Sequence, residues 1–171
     1  NAAQSLLAQS ASGSGILARL GAALSGPQPS GATPFNSMIY SISGNTRAVS
    51  GGKLQPKMLS TSGPVRFSRY SLASNGLGEP LADAVSSLAG GEAASIFAET
   101  AAASIQGSNV DMEALYAQLQ NATVPTAFDE DSKLAKQLLQ VARLIEQREP
   151  FRAERDFFYM RLGGWDTHTN Q

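Results

Sequence analysis

The sequence predicts an α/β fold, helix-rich with a few strands of a central sheet, and three patterns point to it. Met38, Tyr40 and Ile42 alternate with small polar residues between Phe35 and Ser43, the period of a strand. Leu134, Leu138, Val141 and Ile145 recur at helical spacing, the stripe of an amphipathic helix. Phe157-Phe158-Tyr159-Met160, within Arg155 to Leu162, is bulky and apolar on both faces, as in a central strand covered on two sides.

The elements follow in order. Ile16, Leu17, Leu20 and Leu24 mark a helix that Gly26-Pro27 stops. After a Pro/Gly/Ser loop comes the strand Phe35 to Ser43, and then the turn Ser43-Gly44-Asn45-Thr46. Residues 47–80 read as loop-rich with short extended pieces such as Val65 to Tyr70. Helix dominates from Pro80. Leu81, Ala84, Val85 and Leu88 form one stripe, broken at Gly90-Gly91, and Glu92 to Ile105 is an Ala-rich helix. Ser108 or Asn109 is placed to cap a separate helix running to about Gln120. Asp131-Ser132 opens the Leu134–Ile145 helix, where the acidic run Asp129-Glu130-Asp131 suits the positive helix end better than it suits calcium. The whole reads as one incomplete domain over 1–171: loop-rich with short strands at 1–79, helical at 80–149, and a core strand with an Asp/His loop at 150–171. Opening at Asn1 and closing inside its most motif-like stretch, the chain is expected to be an internal piece of a longer protein.

Composition removes several function classes. With no cysteine in 171 residues, disulfide scaffolds, thiolate nucleophiles and Cys-ligated metal sites are excluded. Thirteen basic residues against fourteen acidic ones leave a net charge of −1, without the basic stripe of a nucleic-acid binder. No apolar run is long enough for a transmembrane helix. Neither the dinucleotide fingerprint, the phosphate-binding P-loop nor the G-x-S-x-G elbow occurs.

What remains is concentrated near the C-terminus. The one histidine, His168, lies two residues after Asp166, just past Gly163-Gly164. A carboxylate and an imidazole on one loop can point at a single zinc, manganese or iron ion, and the order helix, strand, Gly-Gly, Asp/His puts them at a strand's carboxyl end, where open α/β sheets bind ligands. The plainer alternative has Asp166 capping a following helix and His168 simply exposed. Ser43-Gly44-Asn45-Thr46-Arg47 admits two readings as well, an anion-holding turn or an ordinary one.

The stretch "LAKQLLQVARLIEQRE", the strand "RDFFYMRL" and then "GGWDTHTNQ" together resemble the domain of unknown function 1501 family, large proteins similar to the alkaline phosphatase/sulfatase superfamily. The segment "PFNSMIYSISGNTRAVSGGKLQPKMLSTSGPV" is also similar to that family, loosely. The resemblance implies a partial alkaline-phosphatase-like sandwich and metal-dependent hydrolysis of small anionic phosphate or sulfate esters. It implies Asp166 and His168 as metal ligands, Gln171 as a polar neighbour, and an exported parent protein, periplasmic or extracellular. Family members continue with E-F-G-R and G-x-D-H-G motifs, which this chain lacks, so the segment is expected to be inactive alone. The alternatives are a non-catalytic secreted binding or structural protein of the same fold, and a helical interaction module.

Overall fold

A computed structural model describes residues 13–24, 35–66, 83, 86, 87, 90 and 96–163. The fold is mixed α/β. In chain order its elements are α1 (Ile16–Leu24), β1 (Ile39–Ser41), β2 (Lys57–Ser60), β3 (Gly63–Pro64), α2 (Ile96–Gln120), α3 (Lys133–Glu146), α4 (Arg148–Phe151) and β4 (Phe157–Tyr159). The chain divides into two compact units, residues 1–63 with 122–171, and residues 64–121.

The first unit is organised by a sheet of order β3-β2-β1-β4. β1 runs parallel to both β2 and β4, with Ile39, Tyr40 and Ser41 opposite Phe157, Phe158 and Tyr159. Parallel neighbours cannot be joined by a tight turn, so this pairing brings together segments more than a hundred residues apart, Met38 and Asp156 being 118 positions from one another. The alignment begins earlier, where Asn36 bridges Ala153. Two residues lie between Asn36 and Ile39 but three lie between Ala153 and Phe157, so the second strand carries one extra residue, a bulge. The bend at Glu154-Arg155 takes up the extra residue, and beside it Asp156 Oδ1 accepts the Met38 N–H at 2.9 Å.

β1 is buried at all three positions, Ser41 included. β4, read from its bulk as central, is the outer strand of the sheet among the described residues, and its three residues are half-buried. Alternation reports side-chain size, but a small residue such as Ser41 can be covered as completely as a large one.

α1 packs on one face of the sheet. Ala18, Ile39 and Val49 form a fully buried cluster, with Leu17, Leu54, Phe157 and Tyr159 against it. Covering Ile39 contributes roughly 1.5–3 kcal/mol relative to leaving it in water. The helix begins and ends where its sequence predicts, yet its buried positions are Ala18 and Gly21, while Leu20 and Leu24 are exposed. Close approach explains the substitution of small for large. A Cβ on Gly21 would stand 2.9 Å from Leu54 Cδ1, and one on Gly52 would stand 2.7 Å from Ala18 Cβ. At the helix N-terminus, Gly15 N–H and Leu17 N–H donate to the carbonyls of Ser50 and Ala48 at 2.8 and 2.9 Å, satisfying donors the helix itself leaves free. At its other end Arg155 Nη1 donates to the Leu24 carbonyl at 2.8 Å.

α3 follows Ser132, whose hydroxyl accepts the Ala135 N–H. Just ahead, Asp131 N–H donates to Asp129 Oδ1, so the acidic run forms a helix entry as its sequence suggests. The buried face differs from the expected stripe. Gln137, Gln140 and Leu144 point inward and Gln147 follows at the same spacing, whereas Leu138 and Ile145 are exposed. The inward glutamines find backbone partners at the sheet, which an apolar stripe could not supply.

In the second unit the two helices expected at 92–105 and from Ser108 to Gln120 are one continuous element, α2. Gly107, Ser108 and Asn109 lie inside it, and neither polar residue acts as a cap. A glycine in a helix costs only about 1 kcal/mol, too little to break a run with good formers on both sides. Arg66 is held by α2: its Nη1 is 3.0 Å from Glu113 Oε2, and its guanidinium lies 3.4 Å from the Tyr116 ring centroid. Asp83, Ser86, Ser87 and Gly90 are helical, and Gln106 Nε2 donates to Ser86 Oγ. The stripe Leu81, Ala84, Val85 and Leu88 lies outside the described residues.

The glycine at the entry to α1 is the most constrained. A Cβ on Gly15 would sit 1.8 Å from the Arg47 carbonyl oxygen and 2.4 Å from the Ala48 carbonyl. Gly15→Ala is expected to cost about 3 kcal/mol in denaturant unfolding, at the upper end for overpacking, while Gly107→Ala, with open space around the new methyl, costs nothing or stabilises.

Candidate functional site at the carboxyl edge of the sheet

β2, β1 and β4 run the same way, so their carboxyl ends share one edge. Ligands of open α/β sheets bind at that edge because loops there leave the strands without closing over them. Two polar segments emerge at it. β1 delivers Ser43-Gly44-Asn45-Thr46-Arg47, and β4 delivers Arg161-Leu162-Gly163.

The turn after β1 is closed by its own chain. Ser41 Oγ donates to the Gly44 carbonyl at 2.5 Å, with Gly44 at φ +80°. The Thr46 carbonyl accepts both the Val49 N–H and Ser50 Oγ, at 3.2 and 3.0 Å. These bonds make it an ordinary turn by construction; Arg47 on it is exposed.

The exit of β4 is held more firmly. Arg161 N–H donates to Ser43 Oγ at 2.8 Å and to Gln137 Oε1 at 3.1 Å. Gln137 Nε2 returns a bond to the Arg161 carbonyl at 3.2 Å, and Ser43 Oγ donates to Gln137 Oε1 at 2.7 Å. On the same helix Gln140 Nε2 donates to the Thr61 carbonyl at 3.0 Å, just past β2. The N-terminal half of α3 therefore grips the carboxyl ends of two strands through buried amides. The sequence reading missed this constellation. Its only trace is the glutamines at 137, 140 and 147, spaced three and seven apart, which repeat at a helical period as faithfully as the leucines do.

Asp166, His168 and Gln171 lie outside the described residues. In the sequence Asp166 follows Arg161 by five residues and His168 by seven. Carboxylate oxygen and imidazole nitrogen suit zinc, manganese or iron, so the donor types fit such a metal while supplying two of the four ligands a tetrahedral site takes. Among the described residues no three His, Cys, Asp or Glu side chains stand together to complete the set.

The opposite edge carries a different feature. A cavity of about 190 Å³ lies beside β4 at its amino end, with Leu144, Ile145 and Phe158 on its apolar side and Arg148, Glu154 and Asp156 on its polar side. Burial pushes the Asp156 carboxyl above its usual range, and the Met38 N–H partly offsets this. Burial also holds the Tyr40 hydroxyl well above its ordinary value, with the Asp156 charge adding to the effect. Tyr40 stacks on Phe158 at 5.8 Å between ring centroids. Asp156 is thus tied into the ladder beside the bulge. Its bond to Met38 replaces a missing ladder bond, and its charge is an electrostatic burden on the fold.

Comparison of the chain with protein-family models, curated proteins and solved structures finds no match. Among the described residues no helix is long and apolar enough to cross a membrane.

The Asp156 geometry fixes the sign of a pH effect. A carboxyl whose folded pKa is raised is ionised at a cost to the native state. That cost is absent below the unfolded Asp pKa, near about 3.9, and grows as pH rises through the folded value. Asp156→Asn keeps an acceptor for the Met38 N–H without the charge. The variant is expected to melt above the wild type at pH 7, with the gap closing as pH falls toward 4; a gap that widens on acidification would contradict this.

Proposed function

We propose that the chain is part of an exported, metal-dependent hydrolase of phosphate or sulfate esters, in which Asp166 and His168 are two of the metal's ligands. The observation that carries the reading is the parallel pairing of β1 with β4. It brings Arg161-Leu162-Gly163, the last described residues ahead of Asp166 and His168 in the sequence, to the same edge as the turn Ser43–Arg47. Two exposed arginines, Arg47 and Arg161, stand on the loops of that edge and suit an anionic substrate. When bound, the metal polarises an ester oxygen and stabilises charge on the attacking or leaving oxygen.

The chain's own contribution is to orient. The sheet and α3 fix Arg161, and the Gly163-Gly164 pair lets the backbone turn toward a ligand without a Cβ in the way. The remaining ligands would come from chain of the kind that follows this motif in the family, and the nucleophile from the region upstream in the superfamily. A mainly helical interaction module is disfavoured by the four-stranded sheet. A non-catalytic binding protein of the same fold shares every feature except the metal, so metal decides between them.

In the full-length protein, Asp166→Ala and His168→Ala are each expected to lower bound zinc, manganese or iron at least tenfold and to abolish ester hydrolysis. The 171-residue chain alone is expected to turn over neither phosphate nor sulfate esters. Unchanged metal content in both variants, or turnover by the isolated chain, would sink the assignment.

A further inference from the structure

We propose that the cavity at the amino end of β4 is a binding site for a small primary amine, an ammonium group carried on an apolar body the size of one aromatic ring. The cavity lies at the opposite edge of the sheet from the Ser43–Arg47 turn and Arg161, and it owes nothing to the metal-hydrolase reading.

The end of α3, the start of α4 and the approach to β4 meet around this space. Its volume of about 190 Å³ is close to that of an apolar cavity that admits one benzene ring, about 150 Å³. Leu144, Ile145 and Phe158 supply its apolar side. Leu144 is buried, and Phe158 is braced by the Tyr40 ring stacked on it, so these two walls are set before a ligand arrives. Ile145, 47% exposed, stands at the rim.

The polar side carries a negative charge without a counter-ion. Asp156 Oδ1 accepts the Met38 N–H, one bond on a carboxylate with about four acceptor sites. Among the described residues no lysine or arginine pairs with Asp156. The other two charges on the lining have partners outside it: Arg148 lies 3.8 Å from Glu149, and Glu154 lies 3.7 Å from Arg155. An asparagine would accept the Met38 N–H equally well, so the ladder explains the oxygen and not the charge. Burial opposes that charge and lifts the carboxyl above its ordinary range, a penalty that an incoming cation relieves. The same chemistry narrows the ligand. A hydrated metal ion has no use for apolar walls, and among the described residues no three metal-ligating side chains stand together. An anion would meet both Asp156 and Glu154. A neutral apolar molecule would cover Asp156 and leave it unpaired, whereas an ammonium donates to the carboxylate and cancels its charge.

The test titrates the full-length protein, methyl-labelled at leucine and isoleucine, with benzylamine, benzyl alcohol and benzoate at neutral pH. Benzylamine is expected to saturate with a Kd of about 1 mM, the scale for a ligand of about eight heavy atoms, and to shift the Leu144 and Ile145 methyl resonances. Benzyl alcohol has the same shape without the charge and is expected to bind at least about tenfold more weakly, and benzoate not at all. Asp156→Asn keeps the Met38 bond; it is expected to lose at least about tenfold in benzylamine affinity while benzyl alcohol stays within about twofold. Glu154→Gln, at an exposed charge, is expected to move benzylamine affinity by no more than about twofold. Should Asp156→Asn fail to fold, the ligand series on the wild type decides by itself. The proposal is overturned if benzylamine does not saturate by about 10 mM, if the Leu144 and Ile145 methyls do not respond, or if benzyl alcohol or benzoate binds as tightly. Undiminished benzylamine affinity in folded Asp156→Asn, or an equal loss in Glu154→Gln, overturns it as well.

Discussion

The backbone ladder between β1 and β4 is the constraint on which the first unit depends. Two three-residue strands, distant in sequence, align in parallel with three matched pairs, and so short a ladder is weak by itself. It is reinforced at each end by a side chain acting as backbone. At the amino end Asp156 Oδ1 takes the Met38 N–H. At the carboxyl end Gln137 and Ser43 take both polar groups of Arg161. Without these the ladder would end in unpaired donors and acceptors near the core, each costing about 1–3 kcal/mol when buried. The two reinforcements differ in kind. The aspartate places a charge where burial opposes ionisation, while the glutamine carries no charge and meets no such opposition.

That difference separates the two edges of the sheet. The amino edge has the cavity and the raised carboxyl, features that usually draw attention to a site, and the carboxyl is tied to the Met38 N–H of the ladder. The carboxyl edge has order: neutral hydrogen bonds that fix two strand ends.

Helix positions and the strand cores were legible in the sequence because caps and periods are local signals. Ser132 opens α3 and Ile16–Leu24 is helical, as their residues indicate. The inward faces were not legible, for a shared reason. Hydrophobic periodicity weights large residues, whereas α1 approaches the sheet on Ala18 and Gly21 and α3 does so on Gln137, Gln140 and Leu144. Small residues win where elements must come close, and amides win where strand ends need partners. Neither demand shows until the neighbouring backbone is in place. The central strand was misjudged similarly, since Ser41 is fully covered and Phe158 is not. Of the candidate site, the Asp/His motif stands out in the sequence by its residue types, but the clamp ahead of it is made of residues that look like ordinary helix surface.

The account turns on the direction in which β1 and β4 run, because only the parallel arrangement puts Ser43 and Arg161 at one edge. Interstrand backbone NOEs in an isotopically labelled sample measure that direction without reference to function. Parallel cross-peaks linking Ile39 with Phe157, Tyr40 with Phe158 and Ser41 with Tyr159, together with a slowly exchanging Arg161 amide, are the result expected. An antiparallel pattern, or no contact between the two segments, would place the turn and the motif apart and contradict the account.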